Sequence, residues 1–304
     1  MRTSDMAAQL RMLSVSGLWG VNWVASKWTL AGFSVWSFRT LTFGLGAGTL
    51  LPAAPWSRAD LSIEGGVPRF HLATAGFLNV GGYGVLPAFA LIETSTARTT
   101  ICAYTTPIWT TLLAWIVLGE RLTPARFLAL LVGACGLCVL PWPLFGTGFP
   151  VGALYAIGAA VSWSAGTVYL RWAAVRAHPL AIAFWQLLAG TAAVALGLAA
   201  HDAELGAPVS AASLAGMTYG IFFGTALPYL LCFNLVGQLS AGSAAVGTFL
   251  VPVVGVTASV LVGERPDPTD MVGFAMILVA ALLALFPFRR DATAQPAAQP
   301  TPGA

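Results

Sequence analysis

Apolar residues fall in long blocks, separated by short polar or turn-forming stretches. A helix that crosses a bilayer needs about 20 mostly apolar residues. Ten blocks meet that demand, at 13–31, 35–51, 70–92, 97–119, 127–145, 151–172, 181–200, 212–236, 244–262 and 271–288. Several connections between them are very short, which suits antiparallel neighbours. The longest loop of the first half covers 52–69, and the turn-rich stretch Gly146-Thr147-Gly148-Phe149-Pro150 divides the chain near its middle. The pattern predicts an all-α integral membrane protein of ten transmembrane helices.

The blocks repeat. Ala97 and Ala241 stand 144 positions apart, as do Gly119-Glu120-Arg121 and Gly263-Glu264-Arg265, Pro124 and Pro268, Trp19 and Trp163, Lys27 and Arg171, and Gly76 and Gly220. A fixed-period self-match of this kind marks a duplication. The first unit is expected over 1–145 and the second over 150–288, each with five spans.

An odd number of spans per unit makes the second unit enter from the opposite face. The repeats are then inverted about an axis in the membrane plane. Basic residues agree with one orientation. With the N-terminus inside, ten of them (Arg2, Arg11, Arg58, Arg69, Arg121, Arg126, Arg171, Arg176, Arg289 and Arg290) are cytoplasmic. Four (Lys27, Arg39, Arg98 and Arg265) fall outside, beside Asp202, Glu204, Glu264, Asp267 and Asp270. Excess Lys and Arg on the inner side predicts cytoplasmic termini. Inverted repeats recur in secondary transporters, with a substrate site at the repeat interface near the midplane and access alternating by rocking of one repeat against the other.

Composition narrows the class. Of the residues, 58% are hydrophobic and only 8% charged, and the mean hydropathy is +0.81. Soluble domains carry about 25% charged residues. The net charge of +3 is dispersed, without the basic stripe that nucleic acid needs. Cys102, Cys135, Cys138 and Cys232 all lie in apolar runs, where they read as buried small hydrophobes rather than metal or redox ligands. The first block carries Trp19, Asn22, Trp23 and Lys27 and lacks the short core of a cleavable signal. Between Asp291 and Ala304 the chain is mainly Ala, Pro, Gln and Thr with no apolar period, and is expected to form a disordered cytoplasmic tail.

With ten spans in two repeats on the page, three features carry a resemblance. They are Leu18-Trp19-Gly20-Val21-Asn22 in the first span, Arg39 in the second, and an Ala, Pro and Gly-Glu-Arg run in both the fourth and the ninth. Together they resemble the EamA type of the drug/metabolite transporter superfamily, over roughly residues 10–288. The resemblance implies a ten-helix exporter of small metabolites whose central cavity is lined by the first, third, fourth, sixth, eighth and ninth spans. Members include amino-acid exporters, the aromatic amino-acid exporters among them. The chain departs from strict symmetry: Pro107 maps to Val251, with Pro252 one place on, and Arg39 maps to Ala183.

Candidate residues follow from chemistry that hydrocarbon does not tolerate alone. Trp19, Asn22 and Trp23 share one helix face at i, i+3, i+4. An Asn in hydrocarbon needs a partner, so that face points into the bundle. Trp163 repeats Trp19. Asn79 pairs with Tyr83 in the third span, Thr100 with Tyr104 and Thr105 with Trp109 in the fourth, and Tyr229 and Asn234 are polar members of the eighth. An amphipathic cavity of Trp19, Asn22, Trp23, Asn79, Tyr83, Tyr104, Trp109, Trp163 and Tyr229 suits small aromatic or amphipathic metabolites, with ordinary interhelical packing as the alternative. Gln186, beside Trp185, is a weaker candidate. Pro87, Pro107, Pro228 and Pro252 stand inside spans, as hinges for alternating access or as static packing kinks. Arg39 lies about a turn inside the second span, placed for a substrate carboxylate or for a structural role at the outer mouth. Lys27 reads as a snorkelling cation. Glu120 and Glu264 end the fourth and ninth spans, bracing helix ends or taking part in transport. Trp28, Trp36, Trp56, Trp142 and Trp172 sit where interfacial belts are expected.

Several functions lose their chemistry here. No His or carboxylate falls clearly at the midplane, since His71, His178 and His201 lie in or beside predicted loops. Glu93 is the one thin candidate for proton coupling. There is no Gly-x-x-x-x-Gly-Lys-Ser/Thr loop for nucleotide hydrolysis, no paired intramembrane Asp for an intramembrane enzyme, and no charged ring for a channel. The reading is a secondary transporter without cofactor or metal, whose partners are a small-molecule substrate and the lipid bilayer. Amino acids are the leading cargo, with nucleosides, sugars or drugs as the alternative.

Overall fold

The computed structural model describes residues 3–57, 59–139, 151–201, 208–233 and 241–285, with backbone alone at 3–9, 56–57, 230, 232–233, 241–249 and 284–285. Arg58, Trp142, the 146–150 junction, Asp202, Glu204, Asn234 and the 291–304 tail lie outside these residues. The described chain is all helical. It forms α1 (Thr3–Leu30), α2 (Val35–Leu50), α3 (Gly66–Glu93), α4 (Thr96–Leu118), α5 (Pro124–Val139), α6 (Val151–Ala173), α7 (Pro179–His201), α8 (residues 211–233), α9 (Ala241–Leu261) and α10 (Pro268–Leu285). The ten blocks of the sequence thus become ten columns. Only a short helix at Ala53–Ser57, in the loop before α3, falls outside that pattern. By length and composition, α3, α4, α6 and α7 are each sufficient to cross a membrane, and α5 and parts of α9 and α10 are shorter apolar helices.

Local chemistry sets where the columns stop and start. Ser34, Ser95 and Ser210 cap α2, α4 and α8, accepting from the backbone N–H three residues on. Gly119 closes α4 at φ 67° and Gly263 closes α9 at φ 100°. A side chain at either position would strain the left-handed turn, which is why the repeated Gly-Glu-Arg motif opens with glycine.

Three columns are irregular, and two of the irregularities are equivalent. Residues Phe77–Gly82 of α3 and Gly220–Ala226 of α8 form π-helical turns, which are the same stretch of the two repeats. A wide turn leaves backbone carbonyls poorly served, and the crossing helices serve them. Ser162 of α6 donates to Leu78 O at 2.8 Å, and Trp19 of α1 donates through Nε1 to Gly224 O at 3.1 Å. The third irregularity has no twin. α4 breaks at Tyr104–Thr105 and restarts with Pro107 in its first turn, whereas α9 runs unbroken through Pro252. Ser164 of α6 donates to Thr106 O at 3.0 Å beside that break. Its equivalent on α1 is Gly20, which packs against α9.

Packing reveals the twofold relation. α1 packs on α8 and α9, and α6 packs on α3 and α4, its counterparts in the other repeat. α2 meets α7, and α5 meets α10, each pair mapping onto itself. Helix neighbours therefore come mainly from the opposite repeat, and the halves interleave in one core. Ala90, Ala97, Ile101, Ala153, Ala156, Val256 and Ile277 make one buried cluster between α3, α4, α6, α9 and α10. Small residues dominate it, as close helix approach in a membrane requires. Cys135 and Cys138 were expected to be buried. They are exposed on α5, because that helix turns its other face, with Gly133 and Gly136, toward α10.

Candidate functional site

A cavity of about 730 Å³ runs through the middle of the bundle. One end reaches Met12, Glu120, Arg126 and Arg171, and the far end reaches Ser26, Arg39 and Pro87. Its walls come from α1, α3, α4, α6, α8 and α9, with Arg39 and Phe43 added from α2 and Arg126 from α5.

The aromatic wall is held by contacts between the repeats and, at Trp23 and Tyr104, within the first one. Trp163 of α6 lies with its ring 4.8 Å from that of Tyr83 on α3. Trp19, its equivalent, is fixed to Gly224 of α8 instead. Trp23 meets Tyr104 edge-on, with centroids 6.3 Å apart. Asn22 packs on Gly224, and Asn79 packs on Gly166, where a Cβ on either glycine would collide with the amide. Gly166 is the equivalent of Asn22, and Gly224 stands one place beyond Phe223, the equivalent of Asn79, so the two crossings pair Asn with Gly from opposite sides, one residue out of register. Asn79 Nδ2 donates to Gln186 Oε1 at 2.9 Å. The two Asn Oδ1 atoms are buried without a hydrogen-bond partner and face the glycine backbones.

Of the nine residues expected in a binding wall, Trp19, Asn22, Trp23, Asn79, Tyr83, Tyr104, Trp163 and Tyr229 line this cavity. Trp109 does not, and its Nε1 donates to Thr105 on its own helix at 3.1 Å. Trp109 stands five positions after Tyr104, about 140° around the helix, while the lining face runs on through Pro107, Thr110, Thr111 and Ala114. Thr100 and Thr105 are buried, each donating to a carbonyl of its own helix. Thr167 and Thr225 also line the cavity, with only their neighbours Trp163 and Gly224 as a signal. Among the prolines, Pro87 and Pro107 reach the cavity. Pro228 follows the π turn of α8, and Pro252 faces a small gap beside Tyr104 and Phe274. Glu93 is exposed at the end of α3 and does not line the cavity.

Charges mark the two ends. At one, Glu264 accepts from the backbone N–H groups of Thr96 at 3.0 Å and Ala97 at 3.2 Å, placing a carboxylate on the first turn of α4. Lys27 donates to Leu91 O and to Thr94 O at the end of α3. Arg98 grips Asp270 with Nε–Oδ1 at 2.8 Å and Nη2–Oδ2 at 3.1 Å, both side chains buried, and touches Asp267 at 3.4 Å. Beneath these ties Trp23, Leu91 and Ala103 form a buried layer with Leu30 and Tyr104. At the opposite end, Glu120 accepts from Arg171 and, at 3.1 Å, from Arg126. The Arg171 hydrogen bond, helped by the Arg126 charge, holds the Glu120 carboxyl below the usual carboxylate range. These three side chains are part exposed and line the cavity.

Other predicted charges and rings take ordinary places. His71 bonds Tyr169 Oη at 2.7 Å, His178 caps α7, and His201 stacks on Trp36. His71 lies within α3, which begins at Gly66, four residues before the expected span. Trp28 and Trp172 are exposed near helix ends.

Known proteins match this arrangement. The transporter YvbV of Bacillus subtilis (strain 168) is 26% identical over 266 residues, covering 87% of this chain and 87% of its own. A probable terminal-alkyne amino-acid exporter of Streptantibioticus cattleyicolor is 25% identical over 213 residues, covering 70% of this chain and 71% of its own. A solved crystal structure with 24% identity superposes at a TM-score of 0.64, covering 91% of this chain and 95% of that one, and so shares the fold. The EamA-like transporter family model matches twice, at residues 6–141 and 150–286, so the chain, a multi-pass membrane transporter and not an enzyme, belongs to the EamA family of the drug/metabolite transporter superfamily.

Proposed function

We propose that this transporter is a secondary carrier that exports small amphipathic metabolites, amino acids with aromatic or apolar side chains first, by alternating access. The observation that carries the reading is the unequal treatment of the cavity's ends. A buried ion pair and a capped helix seal the Glu264 end, while the cavity reaches part-exposed charges at the Glu120 end. In the inverted repeats Glu120 is the equivalent of Glu264 and Arg171 of Lys27, so a tie of the Glu264 kind is available to both ends, whereas the Arg98–Asp270 pair belongs to one end alone. The repeats at 1–145 and 150–288 are the two copies. Because α1 packs with α8 and α9, and α6 with α3 and α4, the bodies that rock are built across the repeats. The chain is placed in the cell membrane, the inner one in a bacterium, with cytoplasmic termini and the Glu120 end inward.

Aromatic walls with a few hydroxyls and amides support an apolar-aromatic cargo. The name of the Streptantibioticus relative supports amino acids as the first class to test. The deciding experiment is counterflow in proteoliposomes loaded with unlabelled amino acids, with labelled Phe, Trp and Leu outside. Accumulation driven by internal Phe or Trp is expected. Counterflow only with nucleosides, sugars or cationic drugs would move the cargo to those classes, and none at all would reject carrier exchange.

A further inference from the structure

The far end of the cavity holds a cation without a counterion. Arg39 is 8% exposed and lines the cavity, yet its Nε has no hydrogen-bond partner, and no carboxylate among the described residues pairs with it. Its guanidinium carbon lies 4.2 Å from the Phe38 ring centroid and 5.7 Å from that of Phe43. Those rings support the guanidinium plane but leave Nε unserved. The lining has one carboxylate, Glu120, and two arginines at the opposite end already hold it. The cavity therefore carries uncompensated positive charge at Arg39 and no free anion for a substrate ammonium group.

Resting on the reading of this cavity as the substrate route, we infer that Arg39 is the specificity-determining residue and that the cargo is recognised as a carboxylate on an apolar or aromatic body, its amino group dispensable. A buried charge is costly until it is paired, and the planar fork of Arg pairs with a carboxylate through two parallel hydrogen bonds. A singly charged carboxylate matches one guanidinium, whereas a phosphate dianion would leave charge over. Trp23, Tyr83 and Tyr104 receive the apolar body. The second repeat has Ala183 where the first has Arg39, so the site binds one anion off the twofold axis.

The test compares four ligands with the same phenyl body. Full-length protein in nanodiscs is titrated with labelled L-phenylalanine and labelled 3-phenylpropionate, with phenethylamine and phenyl phosphate as competitors. Both acids are expected to bind within roughly threefold of one another, and neither competitor to displace them. Arg39→Gln is expected to weaken both acids roughly tenfold or more, with part of the affinity restored in Arg39→Lys. Size exclusion and thermal midpoint identify a variant that has merely failed to fold, and the wild-type ligand ranking stands independently of either variant. Displacement by phenethylamine or phenyl phosphate as strong as by the acids would overturn the inference. So would unchanged acid binding in a folded Arg39→Gln, or binding of neither acid by the wild type. Amino-acid counterflow that persists through any of these results leaves the carrier reading standing, and its absence in the wild type fails that reading by itself.

Discussion

The two ends of the cavity are built from the same residues and use them differently. Glu264 and Glu120 are equivalent, as are Lys27 and Arg171. At the Glu264 end the acid and the base each reach a helix end across the bundle, the acid to the N–H groups opening α4 and the base to the carbonyls closing α3. At the Glu120 end they bond each other. Asp270, which anchors Arg98 in the sealed end, has Arg126 as its counterpart, and Arg98 has Gly242. The comparison teaches that one end is closed by ties between bodies while the other parks the same side chains locally. Under the alternating access proposed above, sealing the Glu120 end requires Glu120 to leave Arg171 for the start of α9.

Breaking the buried pair is the strongest challenge to this contrast. Arg98→Ala or Asp270→Ala leaves one buried charge unpaired, at a cost of about 3–5 kcal/mol. A large fall in thermal midpoint and loss of counterflow are expected, with the double change Arg98→Met and Asp270→Leu recovering much of the stability. Singles as stable as the double would mean the pair does not seal that end.

A smaller effect is expected at the capped helix. Glu264→Gln removes a charge from the first turn of α4, a change of about 1 kcal/mol. That corresponds to roughly a fivefold shift toward the state open at that end. Thr94→Cys should then label faster with a membrane-impermeant maleimide, and Glu120→Gln in the same background should not accelerate it. Equal acceleration by both changes erases the difference between the ends.

Acidity offers a third handle. Because Arg171 and Arg126 hold the Glu120 carboxyl below its ordinary value, their tie is at full strength above the ordinary carboxylate value and is lost as pH falls through the lowered one. No change at the Glu120 end is expected between roughly pH 6 and 8, and loosening only below about pH 4. The group is part exposed, so the effect stays within about 1 kcal/mol. Accessibility of Thr123→Cys against pH reads it, and a transition near neutrality would refute the assignment to Glu120.

Salt should separate the ends most gently. Screening over about 8 Å at physiological ionic strength weakens exposed pairs and spares buried ones. Raising salt should increase labelling at Thr123→Cys slightly and leave Thr94→Cys unchanged.

Much of this was legible beforehand, and the misses have causes. Hydropathy located the ten columns, and the Gly-Glu-Arg repeat located the ends of α4 and α9. The i, i+3, i+4 face of α1 led to Trp19, Asn22 and Trp23, all of which line the cavity. In α4 the same spacing offered two adjacent faces, and the pair Thr105 and Trp109 is on the one turned away from the cavity, because spacing groups residues by face without saying which face the neighbouring helices leave open. The prolines pointed toward irregular helix, but the equivalent irregularities are the π turns at Phe77–Gly82 and Gly220–Ala226, which the prolines merely follow.

By itself the sequence determined the number of spans, their duplication and hence their inversion. Each of these is a property summed along the chain: apolar length, a constant period and an odd count. Only the tertiary structure decided which end is sealed and that Arg39 faces the cavity without a partner. Gly-Glu-Arg reads the same at 119–121 and at 263–265. Its carboxylate takes a helix end in one place and two arginines in the other because partners are set by how the interleaved bodies lie, and no local stretch encodes that.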